Sequence, residues 1–135
     1  MMKAIVAEIR RSLERGERRT FRVVTDSMSP VITVGSMIQV ERLPAGGAAD
    51  LERFQIVLFD EGSHLTCHFF WSRNELPDSD GQHLCLTRSL HGADMPIPES
   101  SLIGVVVSHR VPWQYRFGLF GRFLAKRLAS GVMGH

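Results

Sequence analysis

With 135 residues and 44% hydrophobic content, the chain is long enough to bury one core and too short for two ordinary domains. A formal charge of +2, with the basic residues concentrated at the two ends, gives no compositional support to nucleic-acid binding. No stretch approaches the roughly 18 to 20 continuous apolar residues of a membrane-spanning helix.

In chain order, the segment from Met1 to about Arg15 predicts a helix. Ile5, Ile9 and Leu13 share one face with Val6 beside them, Glu8, Arg11, Glu14 and Arg15 lie opposite, and Gly16 is the expected stop. Thr20 to Thr25 is rich in β-branched residues and predicts a strand, which Thr25-Asp26-Ser27-Met28-Ser29-Pro30 ends, since Pro30 fixes its own φ and turns Ser29 away from helix. Val31 to Arg42 predicts a turn followed by a strand. Leu43 to Leu51, which contains Pro-Ala-Gly-Gly-Ala-Ala-Asp, has the composition of a flexible surface loop.

Phe54 to Phe59 is a continuous apolar run suited to a buried strand. In His64 to Trp71 the two-residue period places His64, Thr66, His68 and Phe70 on one face and Leu65, Cys67, Phe69 and Trp71 on the other. His83 to Thr87 returns as an antiparallel partner, Arg88 to Ser100 predicts a loop, and Leu102 to Val107 predicts a last buried strand. The tail, 113–128, carries Phe117, Phe120, Leu124 and Leu128 on one helical face and Arg116, Arg122, Lys126 and Arg127 elsewhere. Its aromatic face is expected to fold back on the domain, with contact to an anionic membrane as the alternative.

The expected architecture is therefore a single, mainly β domain over 1–135, with an N-terminal helix (1–16), a β core (21–107) and an amphipathic tail (113–128). Cys67 and Cys85 lack CxxC or Cys/His metal spacing and no signal sequence precedes them, so a reduced, cytoplasmic setting is expected, although a hairpin would let the two face each other. No metal or organic cofactor is implied.

A serine hydroxyl becomes a nucleophile only when a neighbouring base takes its proton. The chain has two lysines, Lys3 and Lys126, both in terminal segments, so a histidine is the better base for Ser27. Among His64, His68, His83, His91 and His109, His68 lies centrally in a strand, where placement is most rigid. Asp94, in a loop between two predicted core strands, is the choice for orienting the imidazole. The backbone N–H of Ser27 and a hydroxyl of Thr25 or Ser29 are the expected oxyanion donors.

These residues also form an ordered resemblance. Ser27-Met28-Ser29-Pro30, then Gly35 and Val40, resembles the Ser-Met-x-Pro and Gly-Asp-x-x-x-Val pattern of the signal-peptidase and LexA-like serine peptidases. Phe54 to Phe59 resembles that group's Gly-Asp-Ile-Val-x-Phe strand, Leu65-Thr66-Cys67-His68 its His-bearing strand and Thr87-Arg88 the start of its Thr-Lys/Arg-Gly-Asp segment. Asp94 with Pro96, then Ile103-Gly104-Val105-Val106, resembles its closing Asp-x-Pro and Ile-Gly-x-Val. The resemblance implies the β-rich fold of those peptidases, a Ser27 nucleophile, His68 and Asp94 as base and orienting acid, and Thr25, Met28 and Ser29 around the oxyanion and substrate. It further implies a peptide or protein substrate, added as a strand beside Ser27. Gly35-Ser36, Phe54-Gln55 and Ser89-Leu90 stand where that group has Gly-Asp. These departures define the alternative function, a catalytically degenerate relative that binds a peptide or partner through a retained groove.

Overall fold

The computed structural model describes residues 2–25, 28, 31–74 and 76–109, and the expectations for the tail at 113–128 fall outside them. Helix α1, Met2–Glu14, leads into seven strands: β1 (Arg19–Arg22), β2 (Met37–Arg42), β3 (Ile56–Asp60), β4 (Leu65–Arg73), β5 (Leu84–Arg88), β6 (Ile97–Pro98) and β7 (Leu102–Val106). All pairings are antiparallel, in the order β1-β2-β7-β3-β4-β5-β6. The architecture is thus mainly β, one curled sheet with a helix packed on it.

The helix buries Val6, Ile9 and Leu13, while Ile5, expected on the same face, is 45% exposed. The inward stripe follows the i, i+3, i+7 positions from Val6, so Val6 takes the place expected for Ile5. Gly16 ends the helix at φ +83, with its N–H on the Leu13 carbonyl and the Glu17 N–H on the Ser12 carbonyl. That pair of bonds is the glycine-ended closure that satisfies the last helical carbonyls. Arg10 ties the helix to the sheet by donating to the carbonyls of Leu102 (2.8 Å) and Ser100 (2.6 Å).

β3 and β7 are buried on both faces, which is why they read as unbroken apolar runs. The β4 alternation holds. Leu65, Cys67, Phe69 and Trp71 join Val6, Ile9, Leu13, Ile38, Leu58 and Ile103 in one cluster, while Phe70 joins Val57, Phe59, Cys85, Leu102 and Val105 in the other. The two cysteines fall in different clusters and are free, so they do not meet across a hairpin.

Two expectations need correction. The first strand stops at Arg22 rather than Thr25, and the chain continues through Val23, which pairs with Ser36 and Gly35 across the turn. The 43–51 segment does not behave as a free surface loop. It winds into a 3₁₀ turn, Gly47–Asp50, that buries Ala48 and Leu51 in the second cluster, with the Ala48 N–H donating to Glu99 Oε1 at 3.1 Å. Its glycines shape that turn instead of loosening it. Phe54 holds φ at +76, an uncommon conformation for a bulky residue. Its ring packs edge-on against Trp71 (5.3 Å) and Phe69 (6.4 Å), contacts that offset the backbone cost.

Candidate active site

His68 lies in β4 opposite Val57 of β3 and is 8% exposed. The edge of its ring meets Phe59, with centroids 5.9 Å apart. Nδ1 is 2.5 Å from Asp94 Oδ2. An ionised carboxylate only accepts, so the proton of this bond belongs to Nδ1, and in the neutral ring Nε2 is then the accepting nitrogen. An imidazole in that tautomer has the chemistry to take a proton at Nε2.

Asp94 is delivered by a tight return of the chain after β5. Ser89 opens the turn by bonding through its N–H to the Gly92 carbonyl, while its Oγ accepts from the N–H groups of His91 (3.1 Å) and Gly92 (3.3 Å). Leu90 anchors the turn in the first cluster. Arg88 then bridges to Ala93, and the Asp94 N–H donates to the Thr87 carbonyl at 3.0 Å. Asp94 therefore lies alongside Thr87, whose Oγ1 donates to the same Oδ2 at 2.8 Å.

Burial alone pushes the Asp94 carboxyl up. Hydrogen bonds from His68 and Thr87, with the charges of His68 and Arg88 behind them, outweigh that effect and hold its pKa below the ordinary value. Asp94 thus stays ionised as an acceptor for the imidazole.

A cleft of about 540 Å³ runs beside this pair. One wall is the end of β1 and its continuation, Phe21 to Thr25, and the other is the start of β4 with its preceding turn, His64 to His68. Met28, Ile32, Ile38 and Leu58 line the apolar interior. β5 pairs with β4 only from Phe69 onward, so among the described residues the strand partner of Leu65–His68 is β3. Residues of both β4 faces line the cleft there.

The structure brings His68 and Asp94 together and sets Thr25 and Met28 along the same cleft as His68. Ser27 and Ser29 lie outside the described residues. The other described histidines do not join this pair. His64 lines the cleft but bonds through Nε2 to Glu61 (2.6 Å) and through Nδ1 to Ser63 (2.9 Å), His83 contacts the Asn74 carbonyl, His109 contacts Ser108, and His91 sits exposed on the Ser89 turn.

Thr87 is the residue that sequence reasoning did not assign to the site. Its signal was a hydroxyl at an otherwise apolar strand position, 1% exposed, just ahead of the Asp94 loop. Cys67 also lines the cleft, but burial pushes its thiol up to about 12, which removes it as a ready nucleophile at neutral pH. Among the described residues no group of three or more His, Cys, Asp or Glu side chains is placed to hold a metal ion. Nor is any helix among them long and apolar enough to cross a membrane. No protein-family model matches the chain, and no curated protein is similar to it.

Proposed function

We propose that this protein is a serine endopeptidase of the signal-peptidase/LexA-like type, with Ser27 as nucleophile, His68 as base and Asp94 as the acid that orients it. The observation that carries the reading is the His68–Asp94 pair, set beside a cleft that is also lined by Thr25 and Met28. Ser27 is the chain neighbour of Met28. The ordered sequence resemblance supports the same three residues.

In this mechanism an extended peptide lies in the cleft between the Val23–Thr25 segment and Leu65–His68 of β4. Main-chain pairing would hold it there, and the apolar interior would take a side chain. His68 Nε2 takes the Ser27 Oγ proton as Oγ attacks the scissile carbonyl. The tetrahedral oxyanion is met by the Ser27 N–H and a hydroxyl of Thr25 or Ser29. The imidazolium returns the proton to the leaving amine, giving an acyl-enzyme on Ser27. Water, deprotonated at the same Nε2, then attacks the ester and releases the acid. Asp94 remains an anion throughout and stabilises the imidazolium.

Exposure to a fluorophosphonate probe, followed by peptide mapping, tests the nucleophile, and a mixed peptide library tests turnover. The expected result is label on Ser27, lost in Ser27→Ala and strongly slowed in His68→Ala, with library cleavage following the same pattern. Cleavage that survives Ser27→Ala would overturn the assignment. Saturable peptide binding with neither label nor cleavage would identify a peptide-binding module instead.

A further inference from the structure

Resting on the reading of His68 as base, we propose that Thr87 is a positioning residue, whose hydroxyl fixes the Asp94 carboxylate so that His68 is held in the Nδ1–H tautomer. Asp94 Oδ2 receives two donors, His68 Nδ1 at 2.5 Å and Thr87 Oγ1 at 2.8 Å, on one oxygen. The Asp94 side chain is 25% exposed and belongs to a loop, so burial alone does not hold its rotamer. Thr87 is different. It is 1% exposed, lies in β5 opposite Phe70 of β4, and is β-branched, so its χ1 is stiff and its hydroxyl is aimed by the sheet.

The second tie is the backbone bond from the Asp94 N–H to the Thr87 carbonyl, 3.0 Å. One residue therefore holds both the main chain and the carboxylate of the orienting acid, and only the tie to the carboxylate depends on its side chain. Without the hydroxyl, the carboxylate is free to rotate toward solvent. His68 Nδ1 then loses its fixed acceptor, and the proton distributes between the two ring nitrogens. The fraction with it on Nε2 cannot accept the Ser27 proton there.

The test reads the tautomer directly and turnover separately. Protein carrying 15N-labelled histidine, with His68 assigned by His68→Gln, reports by NMR which ring nitrogen holds the proton. Wild type is expected to show Nδ1–H with a bare Nε2, and Thr87→Val to show a mixture. Turnover in Thr87→Val is expected to fall about ten- to hundredfold in kcat with KM little changed, the scale of one lost hydrogen bond to a charged group. Thr87→Ser and Thr87→Ala, both smaller than threonine, separate hydroxyl from packing, with Ser restoring the single tautomer and Ala failing to do so. A Thr87→Val or Thr87→Ala protein that keeps the wild-type tautomer overturns the proposal. A tautomer change in a protein with no turnover in any form would sustain the positioning role and dismiss the peptidase reading alone.

Discussion

Replacing Asp94 by Asn tests the site through stability, independently of any substrate. Asp94 Oδ2 accepts from His68 and Thr87 within 2.8 Å. The amide can place its one oxygen where Oδ2 stood but carries no charge, so both bonds lose their charge assistance. A hydrogen bond to a charged group contributes about 1.5–3 kcal/mol, and we expect a loss in that range at neutral pH. With a urea slope of about 1–3 kcal/mol per molar for a small domain, the unfolding midpoint falls by about 1 M. The pH dependence has a fixed sign. The folded carboxyl has a lowered pKa, so its contribution is complete above the ordinary aspartate value, about 3.9, and disappears as pH falls through the folded value below it. The gap between wild type and Asp94→Asn must therefore close in acid. Urea melts followed by fluorescence at neutral pH and at about pH 3 measure it. Midpoints that agree at neutral pH to within about 0.3 M, or a gap that widens in acid, would refute the reasoning.

Two other predictions concern the scaffold. A Cβ at Gly104 would lie 2.5 Å from the Glu41 carbonyl oxygen, 2.6 Å from Val40 Cγ1 and 3.0 Å from Leu13 Cδ1. A backbone oxygen cannot swing away, so Gly104→Ala is expected to cost about 2–3 kcal/mol, seen as a melting temperature lowered by at least about 4 °C. An unchanged melting temperature would mean that β2 and β7 are spaced more widely. Cys67 and Cys85 should resist Ellman's reagent in the native protein near pH 8, because burial pushes their thiols up to about 12 and about 11. At the higher value only about one thiol in 10⁴ is ionised there. Both should react at once in guanidinium, and a native thiol that reacts as fast as free cysteine would contradict the upward shift of these thiols.

The parts of this fold that were legible in the sequence are those where one segment's pattern reports its own burial. β3 and β7 announced themselves by unbroken apolar runs and β4 by alternation, because each residue's environment depends on its own side of the strand. The loop at 43–51 was misread because its Gly-Gly-Ala-Ala composition describes backbone freedom. What orders it is distant, namely the pocket that takes Ala48 and the Glu99 carboxylate that takes its N–H. The expectation of a facing cysteine pair failed for a similar reason, since side depends on register, which hairpin spacing does not supply.

At the site, His68 and Asp94 were chosen by strand position and by elimination, and their contact is a consequence of the Ser89–Gly92 turn. Thr87 escaped notice because threonine is an ordinary strand residue, and its one local mark, a hydroxyl following Leu84, Cys85 and Leu86, does not say what that hydroxyl bonds. Its partner is seven residues away through a turn whose geometry rests on the Ser89 hydroxyl. The positive φ of Phe54 was equally hidden, as composition favours glycine there.

β7 is the last of the seven strands in sequence, yet it sits between β2 and β3. Until it is in place the sheet is two separate pieces, the β1-β2 hairpin and the β3-to-β6 meander. The His68–Asp94 contact belongs entirely to the meander and needs nothing from the hairpin. The cleft does, because Phe21 to Thr25 and Met28 come from one piece and His64 to His68 from the other. On the ribosome the segment that carries His68 and Asp94 is made before Leu102–Val106, and it is this later strand that joins the sheets bearing the two cleft walls.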